Sequence, residues 1–216
     1  MLGLDEWFYN FSQFLPSLAT SENLATIKAP FTEMHIYGTF KCAEIASIAG
    51  GLIVHPIYRI YLRSIVDPAT VTSNTQKIIR NKCRKLQGRF LLGGIFMGPI
   101  ATFLYQKFTN MTESEAKHFC YKVRCDADGL TQDRSALFLG FIGWYWRRFQ
   151  GAVDGVNAGL LYALLHEKVI KKHGTPLFKD KIKSDEQYKT VEEVEQSRTQ
   201  FKKFIFSNDK WSFVKE

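Results

Sequence analysis

Apolar residues are not spread evenly along this chain: they gather between Thr39 and Val169 into four stretches, with polar segments on either side. The first runs from Gly38 to Tyr61, with Lys41 and Glu44 at one end, Arg59 and Arg63 at the other, and an apolar middle from Ile45 to Tyr58. It is about as long as a bilayer crossing requires. It is also rich in Ala, Ser and Gly, including Gly50 and Gly51, and small residues let a second helix approach closely. The second stretch, Gly88 to Phe108, carries Gly94 and Gly98 on one face and Pro99 inside it, a kink that bundles in lipid tolerate. The third, Ser135 to Trp146, is short and extends back towards Leu130 only by taking in Asp133 and Arg134. The fourth, Gly151 to Val169, places Gly151, Gly155 and Gly159 at intervals of four. Four residues advance a helix slightly more than one turn, so these glycines form one groove along one face.

The pattern predicts an all-α membrane protein: a four-transmembrane-helix, Gly-rich bundle over residues 38–169 with polar N- and C-terminal extensions. Residues 1–37 read as an aromatic amphipathic extension, with Trp7, Phe8, Phe11, Phe14 and Leu15 at helical spacing. Such a helix either lies on a membrane or a partner subunit, or packs in an ordinary core. Pro30 and Thr32 mark the break before the first span. Residues 170–216 read as a soluble tail whose amphipathic helix carries Val191, Val194, Phe201, Phe204 and Ile205 on one stripe. That stripe is expected to dock on a neighbouring subunit, the alternative being the chain's own loop between spans two and three. A soluble four-helix bundle competes, because Asp154 lies inside the fourth stretch and Arg147 and Arg148 precede it. Two features favour the membrane. Glycine inside a soluble helix costs about 1 kcal/mol, and Trp144, Tyr145 and Trp146 stand beside the two arginines as an interfacial belt does.

Charge adds sidedness. The 216-residue chain has a formal charge of +8, and its mean hydropathy of -0.16 averages apolar spans with polar tails. Between spans one and two lie Arg63, Lys77, Arg80, Lys82, Arg84, Lys85 and Arg89 against Asp67 alone, and between spans three and four lie Arg147 and Arg148 with no acid. The loop between spans two and three is mixed. Loops one and three share a side, and under the positive-inside rule that side is a bacterial cytosol or a mitochondrial matrix. The Lys77–Arg89 run lacks the interleaved aromatics of a single-strand binder, so no nucleic-acid partner is expected. Residues 1–27 carry Asp5, Glu6 and Glu22 before the first basic residue, Lys28, which fits neither a secretory signal nor a presequence.

Candidate chemistry is sparse. Cys42 opens span one, and Cys120 and Cys125 follow span two, all on the side away from the basic loops; Cys83 lies on the basic side. In an oxidising compartment the disulfide candidates are Cys42–Cys120, Cys42–Cys125 and Cys120–Cys125, against four reduced thiols. His118, Cys120 and Cys125 have a spacing unlike a zinc knuckle and no evident fourth ligand, so no metal site is expected. No phosphate loop or nucleophile elbow is present, and neither catalytic nor cofactor-binding residues are expected. Of the acids near apolar helix, Glu44 is expected to reach the interface, and Asp154 to form a charge pair with Arg147 or Arg148.

Gly38-Thr39, Cys42, Ile45-Ala46-Ser47-Ile48-Ala49-Gly50 and Tyr58-Arg59 resemble the opening of the accessory subunits of respiratory complex I that belong to the mitochondrial inner-membrane translocase-channel (Tim) superfamily. Gly88, Phe138-Leu139-Gly140 and Arg148-Phe-Gln-Gly151-Ala152 continue the likeness, which covers roughly residues 38–169. The resemblance implies four helices across the mitochondrial inner membrane with both termini in the intermembrane space. It implies a non-catalytic role in stabilising and assembling the membrane arm of NADH:ubiquinone oxidoreductase. The implied partners are membrane-arm subunits, inner-membrane lipid and another respiratory complex in a supercomplex, with structural phospholipid the only non-protein component allowed for. It also implies a disulfide from the start of span one to the end of span two. Cys42 matches its first partner, whereas Cys120 lies in the loop beyond the second position. The superfamily's Asp-x-x-Asn before span three is replaced by Asp133-Arg-Ser-Ala, which favours a structural subunit over the alternative of a protein-import translocase component.

Overall fold

The computed structural model describes residues 4–12, 24–66, 71–173, 190–194 and 196, and among them the regular elements are helices, with no strand. They are α1 (Leu4–Ser12), α2 (Pro30–Ile65), α3 (Ser73–Phe108), α4 (Glu113–Cys125) and a run from Ala127 to Leu165. That run breaks at Arg147 (φ -138°, ψ 21°) and Arg148 (φ 56°, ψ -149°), giving α5 (residues 127–146) and α6 (residues 149–165). Two of the helices, Pro30–Ile65 and Asn74–Phe108, are long and apolar enough to cross a membrane. The chain forms two compact units.

One unit comprises Met34–Met111 and Asp128–Lys179 and contains two antiparallel helical hairpins. In the first, Gly98 of α3 lies on Thr39 of α2, Gly94 on Cys42, Ala43 and Ala46, and Gly50 of α2 on Phe90. A Cβ at Gly94 would stand 2.7 Å from the Cys42 carbonyl oxygen, so only glycine permits this approach. The second hairpin turns in two residues, near the lower limit for such connections. Gly151 meets Gly143, Gly155 meets Leu139 and Gly159 meets Ser135, so each turn of α6 rests on one turn of α5. Ser135 Oγ donates to the Gly159 carbonyl at 2.9 Å.

Helix α2 is not α-helical throughout. Ala49–Val54 forms a π turn in which the His55 N–H bonds to the Gly50 carbonyl. Pro56 follows, and a proline in an α-helix clashes with the carbonyl four residues before it. Widening the helix ahead of Pro56 relieves that clash, and the small Gly50 and Gly51 occupy the widened turn.

The other unit comprises Met1–Glu33, Thr112–Ala127 and Asp180–Glu216. Here α4 is defined at its start by a reciprocal capping box between Thr112 and Glu115. Buried Arg124 closes its other end: Nε and Nη2 donate to Glu33 Oε1 and Oε2, each at 2.7 Å, and Nη1 donates to the carbonyls of Leu24 and Thr26. Such a fork-to-fork pair fixes orientation as well as charge. Trp7 stacks on Phe11 in α1 at 4.9 Å, while Phe14 and Leu15 lie outside the described residues. In the tail, Val191 and Val194 are buried, and Ser114 Oγ donates to Glu192 Oε1 at 3.0 Å. This part of the tail therefore packs on α4 of its own chain, the alternative given for it above. Phe201, Phe204 and Ile205 lie outside the described residues.

Candidate functional site

Polarity in the hairpin unit is inverted. Glu44, Ser47, Gln87 and Asp133 are 4%, 0%, 2% and 6% exposed, whereas Leu52, Ile60, Phe96, Phe138 and Trp146 are 63%, 69%, 72%, 66% and 79% exposed. In the most apolar windows of α2 and α3, only 11% and 28% of residues are buried.

Polar contacts at three levels tie the two hairpins together among the described residues. At one end of the unit, Lys41 Nζ donates to Asp133 Oδ1 at 2.5 Å and to Glu44 Oε2 at 3.2 Å, and Gln132 Nε2 donates to the same Glu44 oxygen at 2.9 Å. Glu44 Oε1 is buried and has no partner. One turn further along α2, Asn157 Nδ2 donates to the Ser47 carbonyl at 3.1 Å. Beyond that, Gln87 Nε2 donates to Asp154 Oδ1 at 2.5 Å. Glu44 thus sits inside a polar network rather than reaching an interface. Asp133 is the charge that the sequence places in the path of a longer third helix, and pairing with Lys41, 92 residues away, is what allows α5 to include it.

The expected charge pair of Asp154 with Arg147 or Arg148 is not formed; among the described residues Asp154 is held by Gln87. The reason is the backbone break at the two arginines. It turns Arg148 over the Trp144 ring, 5.5 Å from its centroid. Both arginines are exposed at the end of the unit where Gly88 of α3 meets Phe149, so the turn and the basic first half of α3 share that end.

The glycines singled out from the sequence are contact points. Gly94, Gly98, Gly151, Gly155 and Gly159 each oppose backbone of the facing helix, while Gly50 and Gly51 oppose the side chains of Phe90 and Asn157. Gly38, Gly140 and Gly143 do the same work and were not identified: Gly38 meets Thr102, Gly140 meets Val156 and Gly143 meets Gly151. A spacing of three residues between Gly140 and Gly143 carries the signal, visible only once the register against α6 is known.

No disulfide joins the four cysteines. Cys120 is buried and its Sγ donates to the Pro30 carbonyl at 3.3 Å. Cys120 and Cys125 share α4, where five residues advance about 7.5 Å along the axis. That exceeds the span a bridge accepts, so the Cys120–Cys125 candidate is excluded while α4 is intact. Cys83 is buried. Burial pushes the Cys125 thiol up from its ordinary value, partly offset by a hydrogen bond with Tyr121. Among the described residues no group of three His, Cys, Asp or Glu side chains is placed to hold a metal; His118 is exposed on the helix that buries Cys120.

A groove of about 350 Å³ opens on the hairpin unit between α2, α3, α5 and α6; its exposed wall is apolar, from Leu91 and Ala136 to Trp144, and Glu44 is among the residues that line it.

The arrangement defines an all-helical protein with glycine-faced hairpins, a polar seam between them and an apolar exterior. Residues 7–166 match the family DUF1757, described as a protein of unknown function, and the chain belongs to that family. No curated protein matches the chain.

Proposed function

We propose that the hairpin unit is a four-span bundle in the mitochondrial inner membrane and that the protein is a non-catalytic accessory subunit of respiratory complex I. In this role it stabilises the membrane arm during assembly. The observation that carries the reading is the inverted polarity. Soluble monomers rarely expose contiguous apolar patches beyond a few hundred Å², whereas here large apolar side chains face outwards on α2, α3, α5 and α6 while charges pair inside. In lipid, ionisable residues face the bundle interior and pair there, as Lys41, Glu44 and Asp133 do. Residues 127–146 give α5 a length of about 30 Å, enough for a hydrocarbon core once Asp133 is neutralised. The shared basic end of α3 and the α5–α6 turn supports a matrix-facing side. The likeness to the Tim superfamily supplies the complex, with both termini in the intermembrane space and contacts to membrane-arm subunits and inner-membrane lipid.

Alkaline carbonate extraction of mitochondria should leave the chain in the pellet; recovery in the supernatant refutes the bilayer reading. Depletion of the protein should fragment complex I on native gels before import of unrelated precursors falls. The opposite order favours the import component and refutes the structural role.

A further inference from the structure

At the basic end of the hairpin unit, the last turns of α2 and the first turns of α3 enclose a second hollow of about 250 Å³. Polar and apolar groups share its open wall, unlike that of the groove between the hairpins. Its charged lining is Arg59 and Arg63, one turn apart on α2 and both exposed. Side chains four apart on a helix are neighbours, and like charges there repel. Among the described residues neither arginine forms an ion pair. From Arg59 to Arg89 the sequence holds eight cations against one acid, Asp67, which lies outside the described residues. The hollow therefore concentrates positive charge for which the described chain supplies no counter-ion.

The lining also says which anion suits it. The Thr75 hydroxyl is held in the capping box with Thr72, which leaves the two guanidinium forks and the Gln76 amide as donors. A carboxylate matches one such fork with its two oxygens, whereas a phosphate has further oxygens to offer the second. The volume lies below the ~300–1,000 Å³ usual for small-molecule sites, which suits a headgroup whose remainder stays outside. Val66, Val71 and Ile79 give the hollow an apolar side, and Ile57, Ile60, Ile65 and Ile78 are exposed on the same two helix segments.

We propose that this hollow binds a phosphate ester, with Arg59 and Arg63 gripping its anionic oxygens and Gln76 donating beside them. The apolar side favours the headgroup of an anionic phospholipid over a soluble phosphate ester as the source. The phosphate site stands on these residues alone; only the lipid source rests on the bilayer reading above.

The lipid arm of the test places the full chain in nanodiscs of equal phosphatidylglycerol and phosphatidylcholine with identical acyl chains. Native mass spectrometry then identifies the lipid retained after mild detergent release. Phosphatidylglycerol should be preferred, and Arg59→Gln/Arg63→Gln should lower that preference roughly twentyfold, a factor of about five for each arginine. Lys82→Gln/Lys85→Gln removes the same charge from α3 outside the hollow and should leave the preference nearly unchanged. The soluble arm follows thermal unfolding in phosphate-free mild detergent as glycerol 3-phosphate is added, with glutarate as the carboxylate control. Lipid preference lost only in the arginine variant establishes the site with lipid as its source. A saturable rise in midpoint with glycerol 3-phosphate, absent with glutarate and seen without any lipid preference, establishes it with a soluble source; this readout uses the unaltered protein and does not depend on a variant folding. No response in either arm overturns the proposal, as do equal losses in the arginine and lysine variants or an equal response to glutarate. A chain that fails to enter nanodiscs refutes the bilayer reading and the lipid source, and the glycerol 3-phosphate arm then decides the site.

Discussion

Replacing Gly159 by Ala adds one methyl group where α6 rests on α5. The new Cβ would stand 2.5 Å from the Ser135 carbonyl oxygen, 2.6 Å from its carbonyl carbon and 2.7 Å from the Ala136 Cα. All three belong to backbone, which cannot rotate aside. Carbon contacts are comfortable from about 3.5 Å, so the helices must part by roughly 1 Å, about a tenth of a normal interaxial distance. Overpacking of this kind costs about 1–3 kcal/mol. The Ser135–Gly159 hydrogen bond weakens as the helices separate, with about 0.5–1.5 kcal/mol at stake. Alanine's better helix propensity returns about 1 kcal/mol. The net expectation is a loss of about 1–3 kcal/mol. Gly93→Ala is the control, because a Cβ at Gly93 meets nothing within 4 Å; it gains the propensity alone. Unfolding in mild detergent by titration with a denaturing detergent, followed by helical circular dichroism, should separate the two variants by about 2–4 kcal/mol. If both unfold together, the α5–α6 contact does not depend on close backbone approach, and the hairpin packing described here is wrong.

Three further outcomes are expected. Glu33→Gln leaves Arg124 buried with half its fork unmatched and should lower stability by about 3–5 kcal/mol, read by thermal unfolding and by protease access at α4. At Glu115, hydrogen bonds from the Thr112 backbone amide and hydroxyl hold the carboxyl below its ordinary value. Its folded pKa therefore lies below the unfolded one, and the contribution is present above the ordinary carboxylate range and lost as pH falls through the depressed value. Amide exchange at the start of α4 should accelerate on acidification through that range in the native protein, and show no such step in Glu115→Gln. Finally, Arg148 holds φ 56° and ψ -149°, close to a region nearly reserved for glycine. Arg148→Gly should raise the unfolding midpoint, and a lower midpoint would mean that the stacking on Trp144 outweighs the backbone strain.

The elements of the hairpin unit were legible because periodicity is a local property. Gly151, Gly155 and Gly159 announce a contact face from their spacing alone, and α3 and α6 follow from apolar runs of sufficient length. What the sequence could not display is which polar residues meet. Lys41 and Asp133 are 92 residues apart and Arg124 and Glu33 are 91 apart. Read singly, Asp133 shortens the third helix and Glu44 looks like an interfacial acid. Both readings change once a partner neutralises them in the interior. Asp154 shows the same limit from the other side: two nearby arginines made an ion pair look natural, and the φ/ψ break between α5 and α6 aims them elsewhere. The groove was invisible for a similar reason, since it is made of surfaces from four helices.

The division of labour between the contacts bears on how the chain is made. Within each hairpin it is chiefly glycine-faced backbone that touches, between residues closer in sequence than those of the seam, and closest at Gly143 and Gly151. Between the hairpins side-chain hydrogen bonds at Lys41–Asp133, Ser47–Asn157 and Gln87–Asp154 add to the packing of Leu91 on Ala152 and Val153. Short-range contacts close early, because little loop entropy opposes them. Each hairpin is thus able to form as its second helix is synthesised, with its seam still unmatched. The polar seam is completed only when α6 arrives, which makes Asp154 and Asn157 the residues that report a finished hairpin unit.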